Sequence, residues 1–256
     1  MLIAVDIGNT SIAVGVFRND NLVQDWTIRS DRKSTCDEYK VLLLNLFSLS
    51  RVEVEQIKDV IMSSVVPPLT PVFQEVIREI FKVRPLIVGP GLKTGIAVLY
   101  DNPLEVGADR IVSAVAARDK YGAPCIVLDF GTATTFDAVS ASGDYLGGAI
   151  APGIQISAEA LYSRTAKLPR VELKKARKAI GKNTNGSMHS GLYFGYVGLV
   201  KNIIREMKQE LGRRAKVVAT GGAAFLIFDD IEEIDAYEPH LVLEGLRLIF
   251  KKNRGQ

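Results

Sequence analysis

At 256 residues, with 47% apolar and 24% charged side chains, the chain is long enough for two compact domains of roughly 100–150 residues and apolar enough to bury a core in each. A formal charge of +3 is too small to argue for a nucleic-acid surface, and no apolar run approaches the roughly 18 residues that span a bilayer. The opening Met1-Leu2-Ile3-Ala4-Val5-Asp6 lacks the basic flank and long apolar stretch of a secretory leader, so a cytoplasmic protein is expected. Cys36 and Cys125 stand far apart with no CxxC spacing, and Cys125 reads as a small buried hydrophobe within Cys125-Ile126-Val127-Leu128.

Residues 2–6 form an apolar strand that ends on Asp6, and 11–17 form a second strand after Gly8-Asn9-Thr10. A third strand is predicted near 22–30. A helix over 35–49 follows, with Tyr39, Leu42, Leu43, Leu46 and Phe47 on one face. Residues 59–66 are a short apolar strand stopped by Pro67-Pro68. Phe73, Val76, Ile77, Ile80 and Phe81 mark an amphipathic helix, and 85–89 another strand. A helix beginning near Asp109, with Ile111, Val112, Val115 and Ala116 apolar, carries the chain between its halves. Strands at 125–128 and 135–139 precede a long helix over 190–211, whose apolar face is Tyr196, Leu199, Val200, Ile203, Met207 and Leu211. A strand at 216–219 runs into Thr220-Gly221-Gly222 and a further helix, and the polar end 251–256 is expected to fray.

The chain echoes itself. Leu2-Ile3-Ala4-Val5-Asp6-Ile7-Gly8-Asn9-Thr10 is matched by Cys125-Ile126-Val127-Leu128-Asp129-Phe130-Gly131-Thr132-Ala133-Thr134-Thr135, each an apolar strand followed by Asp, an apolar residue, Gly and a polar turn. Two copies separated by nearly half the chain predict a duplicated α/β fold, residues 1–115 and 116–256, with a cleft between the domains. Glycine in such a turn lets backbone N–H groups approach a phosphate, and Asn9, Thr10 and Ser11 add short donors. Asp6 is repelled by phosphate and suits a hydrated Mg²⁺ that bridges the phosphates. A single copy reads first as a structural turn; the repetition reverses that and favours two hairpins gripping a polyphosphate. Ala219-Thr220-Gly221-Gly222-Ala223-Ala224 is either a tight strand-to-helix turn or a bare-backbone platform for a base or ribose.

Other signatures fail. There is no GxxxxGK(S/T), and Gly89-Pro90-Gly91-Leu92-Lys93-Thr94 lacks the third glycine of a dinucleotide fingerprint and reads as a loop. His189 and His240 are too isolated for a zinc site. The basic run of Lys167, Arg170, Lys174, Lys175, Arg177, Lys178 and Lys182 has no interleaved aromatics for base stacking and reads as a solvated face that attracts anions. Tyr100-Asp101-Asn102-Pro103 leads to Glu105-Val106-Gly107-Ala108-Asp109-Arg110. There Asp109 is placed to accept a hydroxyl proton and Arg110 to pair with a substrate carboxylate in a planar fork. The plainer reading is an Asp N-cap beside an exposed Arg.

The two hairpins and the Gly221 turn resemble the phosphate and adenosine motifs of the actin, heat-shock chaperone and sugar kinase superfamily. That resemblance implies two ribonuclease H-like domains around an interdomain ATP cleft. Several blocks jointly resemble type III pantothenate kinase: Asp6-Ile7-Gly8-Asn9-Thr10, Ser63-Ser64-Val65-Val66-Pro67, Gly107-Ala108-Asp109-Arg110, Asp129-Phe130-Gly131-Thr132, Gly147-Gly148-Ala149-Ile150-Ala151-Pro152-Gly153, Gly181-Lys182-Asn183-Thr184 and Met188-His189-Ser190-Gly191. The resemblance implies ATP-dependent phosphorylation of pantothenate, the first step towards coenzyme A. It implies Asp109 as general base, Gly107, Ala108, Asp109 and Arg110 around pantothenate, and Tyr100 and Thr184 as further substrate contacts. Asp6, Ile7, Gly8, Asn9, Thr10, Ser11, Ile12, Ala13 and Thr132 would bind ATP, with Asp6 reaching Mg²⁺ through water. Asp129 would hold a monovalent cation, K⁺ or NH₄⁺. The resemblance also implies a homodimer, in which Gly191, Gly195 and Gly198 fit close packing at the subunit interface or against the nucleotide. Two rivals share the fold: another actin-like ATPase, and a pantothenate-kinase-like transcriptional accessory factor, for which no helix-turn-helix with a basic recognition helix is apparent.

Overall fold

The computed structural model describes residues 1–224 and 227–254 and divides the chain into two compact units. Unit one is Met1–Ala97, Asp101–Ala116 and Leu241–Gln256; unit two is Val98–Tyr100 and Ala117–His240. The halves expected from linear order, 1–115 and 116–256, therefore differ from the spatial units at the C-terminal helix, which belongs to the first unit, and at Val98–Tyr100, which belongs to the second.

The first unit holds β1 (Leu2–Ile7), β2 (Ser11–Arg18), β3 (Asn21–Arg29), β4 (Asp59–Ser64) and β5 (Leu86–Ile87) in the order β3-β2-β1-β4-β5. β1 runs antiparallel to β2 and parallel to β4. The second unit holds β6 (Cys125–Phe130), β7 (Ala133–Val139), β8 (Tyr145–Pro152), β9 (Lys216–Thr220) and β10 (Ala236–Tyr237) in the order β10-β9-β6-β7-β8. Here β6 is antiparallel to β7 and parallel to β9. Read from the other edge, the two sheets have one topology, which is the duplication announced by the sequence echo.

Alternation along β1 decides which face each side chain joins. Ile3, Val5 and Ile7 enter a core with Tyr39, Leu43 and Phe47 of α1 (Cys36–Leu49) and Phe73, Val76 and Ile77 of α2 (Leu69–Phe81). Leu2, Ala4 and Asp6 take the opposite face. The buried stripe of α1 is narrower than the apolar pattern suggests, since Leu42 is exposed and the core takes positions four apart. Thr35 and Glu38 close a capping box that fixes where α1 begins.

Two glycines seat α6 (Leu241–Asn253) in the first unit. A Cβ at Gly15 would stand 2.9 Å from Leu243 Cδ1, and one at Gly245 would overlap the backbone of Val112 in α3 (Ala108–Tyr121). Asn253 is buried and donates to Lys93 O and Ile249 O, each at 2.8 Å, so the end expected to fray is helical and anchored up to that residue. Gly255 and Gln256 lie outside the described residues.

In the second unit, Ile126, Leu128 and Phe130 pack with Tyr193, Tyr196, Val200 and Ile204 of α5 (Thr184–Leu211). α5 starts six residues before the expected 190, because the Asn183 side chain accepts from Gly186 N–H at 2.8 Å and caps it there. β8 and α4 (Ile154–Ser163) were not expected as elements. Part of the helix expected after Gly222 falls on Phe225 and Leu226, outside the described residues; the described residues beyond them hold a 3₁₀ turn at Phe228–Asp230.

Candidate active site

The β1–β2 turn is built around Gly8. Its N–H donates to Ser11 O at 3.0 Å, and a Cβ there would lie 2.9 Å from the same oxygen, so a side chain would force the turn open. Asn9, Thr10 and Ser11 are exposed at the tip, while Ile7 and Ile12 are buried and anchor the strands beneath. Asp6 is half-buried at the end of β1. Its register partner on β4 is Ser63, whose fully buried hydroxyl donates to Asp6 Oδ1 at 2.6 Å. The aspartate is thereby aimed before any ligand arrives.

The acceptor motif lies at the carboxyl ends of the same strands. Val65, just past β4, donates its N–H to Ile7 O at 3.0 Å, and a Cβ on Gly107 would come within 3.3 Å of Val65 Cγ1. That same Cβ would stand 2.5 Å from Asp109 Oδ1. Glycine at 107 therefore makes room for the Asp109 carboxylate to fold back over the first turn of α3. Arg110 N–H donates to Asp109 Oδ1 at 2.8 Å and fixes the carboxylate's orientation. Gly107, Ala108, Asp109 and Arg110 are all half-buried, accessible to a ligand yet held by surrounding structure. The start of α3 adds the positive end of a helix dipole, suited to an anionic group.

In the second unit the β6–β7 turn repeats this construction with different neighbours. Gly131 and Thr132 are exposed at its tip. Asp129 stands opposite Thr135 on β7 and Thr220 on β9. Gly221, at φ +91°, presses its backbone against the end of β6, and a Cβ there would overlap Asp129 Oδ1. Ala223 N–H donates to Phe130 O at 3.2 Å, so the Thr220-Gly221-Gly222 segment is bound to this aspartate's strand. A Cβ at Gly153 would meet the carbonyl oxygens of Gly131 and Thr132. A single carboxylate with the Gly221 backbone packed against it fits a loosely coordinated monovalent cation, which takes oxygen ligands of low charge. Among the described residues no three His, Cys, Asp or Glu gather as a metal site. Asp6, acting singly, fits a divalent ion that keeps its waters and the nucleotide's phosphates.

The remaining expected contacts fall in the second unit. The Tyr100 ring lies on Gly147, φ +123°, where a Cβ would sit 3.1 Å from Cδ2 and Cε2. Thr184 is exposed at the first position of α5. Thus Asp6, Ile7, Gly8, Asn9, Thr10, Ser11, Ile12, Ala13 and the 107–110 motif share one unit, while Tyr100, Asp129, Thr132 and Thr184 share the other. A Cβ on Gly191, Gly195 or Gly198 would meet nothing within 4 Å, so these glycines serve no close packing within the described chain. The basic segment is tied down by Lys175, whose Nζ pairs with Asp230 at 2.5 Å while Tyr193 donates to the same carboxylate.

Sequence reading missed three supports. The Ser63 hydroxyl and the Gly221 backbone act on their aspartates across strand pairs distant in sequence. Asp137 is buried on β7, accepting from Tyr145 Oη at 2.6 Å and Thr135 Oγ1 at 3.2 Å. Its position two residues from Thr135, in a strand, was the available signal. Burial raises the Tyr196 phenol, against a lowering hydrogen bond with Thr134, so Tyr196 stays neutral in the core under β7.

The family model for type III pantothenate kinase matches residues 2–206. A type III pantothenate kinase of Geobacter sulfurreducens is 51% identical over 254 residues, covering 99% of this chain and all of the relative. One of Syntrophus aciditrophicus is 50% identical over 253 residues, with 99% and 100% covered. Among solved structures, a Campylobacter jejuni chain described as a Baf family transcriptional activator aligns at TM-score 0.64 and 19% identity, covering 99% of this chain and 100% of that one. MreB 5 of Spiroplasma citri bound to AMPPNP aligns at TM-score 0.56 and 13% identity, covering 98% and 96%. At such identities the solved structures establish the shared actin-like fold and nothing of activity. The near-complete match to kinases at half identity is of another order: this chain belongs to the type III pantothenate kinase family.

Proposed function

We propose that this chain transfers the γ-phosphoryl group of ATP to the primary hydroxyl of pantothenate, giving 4'-phosphopantothenate and opening coenzyme A biosynthesis. The observation that carries this reading is Asp109. Its carboxylate is seated in the space left by Gly107, with orientation fixed by Arg110 N–H, at the carboxyl end of the strand beside Asp6. A carboxylate so placed accepts the hydroxyl proton as the oxygen attacks phosphorus. Arg110 pairs with the pantothenate carboxylate, and Tyr100 and Thr184 line the acceptor. Asn9, Thr10, Ser11 and Thr132 donate to phosphate oxygens, while Gly8 keeps the turn open to them. Asp6 would hold the water shell of the Mg²⁺ that enters with ATP, an ion that would supply charge neutralisation at the phosphates. Supplying pantothenate and simple sugars in turn, while following ADP release, tests the acceptor. Release with sugars and none with pantothenate rejects the assignment.

Two finer features belong to the same reading. Asp129, with the backbone of Gly221 packed against its carboxylate, would hold the monovalent cation. A homodimer is supported by an apolar outer surface on the second unit: Leu146 and Ile150 of edge strand β8, Ile156 and Leu161 of α4, and Phe194 beside Gly191, Gly195 and Gly198 on α5 are all exposed. The mass of the purified protein in solution, compared with that of Ile150→Glu, tests the pairing. A parent that is monomeric at micromolar concentration rejects it. Among the described residues no helix is long and apolar enough to cross a membrane, and we place the reaction in the cytoplasm.

A further inference from the structure

Arg32 lies in the segment joining β3 to α1, beside the β1–β2 turn. That segment is firmly built. Ser30 N–H donates to Thr10 O of the turn at 3.0 Å. Asp31 N–H donates to Tyr39 Oη at 2.8 Å, and Tyr39, 3% exposed, donates back to Asp31 O at 3.1 Å. Lys33 N–H donates to Asp31 Oδ1 at 2.9 Å, and the Thr35–Glu38 capping box closes the segment. The backbone on both sides of Arg32 is therefore tied, on one side to the turn and on the other to the core.

From this mount Arg32 Nη2 donates to Asn9 Oδ1 at 2.9 Å. A guanidinium carries only donors, so the oxygen of the Asn9 amide must face it. The amide NH₂ then turns the other way. Asn9 and Arg32 are both exposed, so the bond itself contributes little to folding. It does set the chemistry of the turn, in which Asn9 becomes a fixed donor beside the hydroxyls of Thr10 and Ser11. It also holds a permanent positive charge at the same place.

We propose that Arg32 is a nucleotide-phosphate contact: its guanidinium meets the terminal phosphate oxygens of ATP at the β1–β2 turn and holds the Asn9 amide as a donor to them. A planar fork suits two phosphate oxygens better than a point charge does. The inference rests on the reading that this turn grips ATP, and it adds a residue from outside the turn's own motif.

The test compares Arg32→Gln and Arg32→Lys with the parent enzyme in steady-state kinetics, with thermal melting as the folding check. Arg32→Gln is expected to raise the KM for ATP roughly tenfold, the effect of losing one charge-assisted bond, and to leave the KM for pantothenate and the melting midpoint unchanged. Arg32→Lys, keeping charge without the fork, is expected to fall between. An ATP KM equal to the parent's in Arg32→Gln overturns the proposal, as does an equal loss in both KM values. Should the parent prove inactive, the kinase reading fails instead, and ATP binding by calorimetry to parent and Arg32→Gln decides the role of Arg32 alone: weaker binding in the variant supports it, equal binding overturns it.

Discussion

The Ser63 hydroxyl donates to Asp6 Oδ1 at 2.6 Å from the strand running parallel to β1. In the second sheet Thr220 stands opposite Asp129 in the same register. Duplication has placed a hydroxyl-bearing residue next to each hairpin aspartate. Ser63→Ala removes the bond that aims Asp6. The expected outcome is a roughly tenfold rise in the Mg²⁺ concentration giving half-maximal turnover, in line with the loss of a hydrogen bond to a charged acceptor. A magnesium titration at saturating ATP checks it; an unchanged midpoint means Asp6 is held by other groups.

Asp109→Asn is expected to keep the fold and nucleotide binding while lowering turnover by roughly 10²–10⁴-fold, the usual range for a lost general base. Gly107→Ala should reproduce part of that loss without removing the carboxylate, by displacing it, because its Cβ would stand 2.5 Å from Asp109 Oδ1. Single-turnover kinetics of both variants, with circular dichroism for folding, separates the cases. Normal turnover in folded Asp109→Asn leaves that residue only as a first-turn carboxylate of α3 holding Arg110 N–H, not the helix cap that the sequence also allowed.

Asp6 and Asp129 occupy equivalent places in their sheets, each beside a hydroxyl-bearing residue, yet only Asp129 has the backbone of a positive-φ glycine, Gly221, packed against its carboxylate. Asp129→Ala is expected to raise the K⁺ or NH₄⁺ concentration needed for activity, whereas Asp6→Ala impairs Mg–ATP use at every K⁺ level. Gly221→Ala, strained at φ +91° and overlapping Asp129, should follow Asp129→Ala. Paired cation titrations decide. Identical failure of all three variants in both titrations contradicts the division.

The strands and turns around both aspartates were legible because each is local: an apolar run, an acid, a glycine and short polar residues in order. So was α2, whose pattern sits on one face. β8 was hidden by its small residues. Gly148 lies so close to the Phe136 carbonyl that any Cβ would overlap it, and a strand interrupted by such glycines carries no β-branched signature. The return of α6 to the first unit was invisible for a different reason, since Gly15 and Gly245 meet partners far away in sequence. The same holds at the site. Asp6, Asp129 and Asp109 stood out by type and spacing, while Ser63 and Gly221 reach Asp6 and Asp129, and Arg32 reaches Asn9, only through strand register or a loop fixed by a buried tyrosine.

Burial pushes the Cys125 thiol up to about 11, and burial with nearby Glu75 and Glu79 also raises Cys36. Both stay protonated, and so unreactive, near neutral pH. Labelling of the native protein with a thiol reagent is expected to be slow at pH 7, to accelerate as pH rises, and to reach the half-buried Cys36 while sparing fully buried Cys125. Peptide mass mapping checks this. Rapid labelling of Cys125 without denaturant contradicts its full burial at the start of β6.

The most direct measurement is the mass of the product. Purified protein is incubated with ATP, Mg²⁺, K⁺ and pantothenate, and the small molecules are separated and weighed, with Asp109→Asn in parallel. The expected result is 4'-phosphopantothenate in proportion to ADP from the parent protein, and little of either from the variant. ADP accumulating without phosphopantothenate, or no product under any monovalent cation, contradicts the assignment.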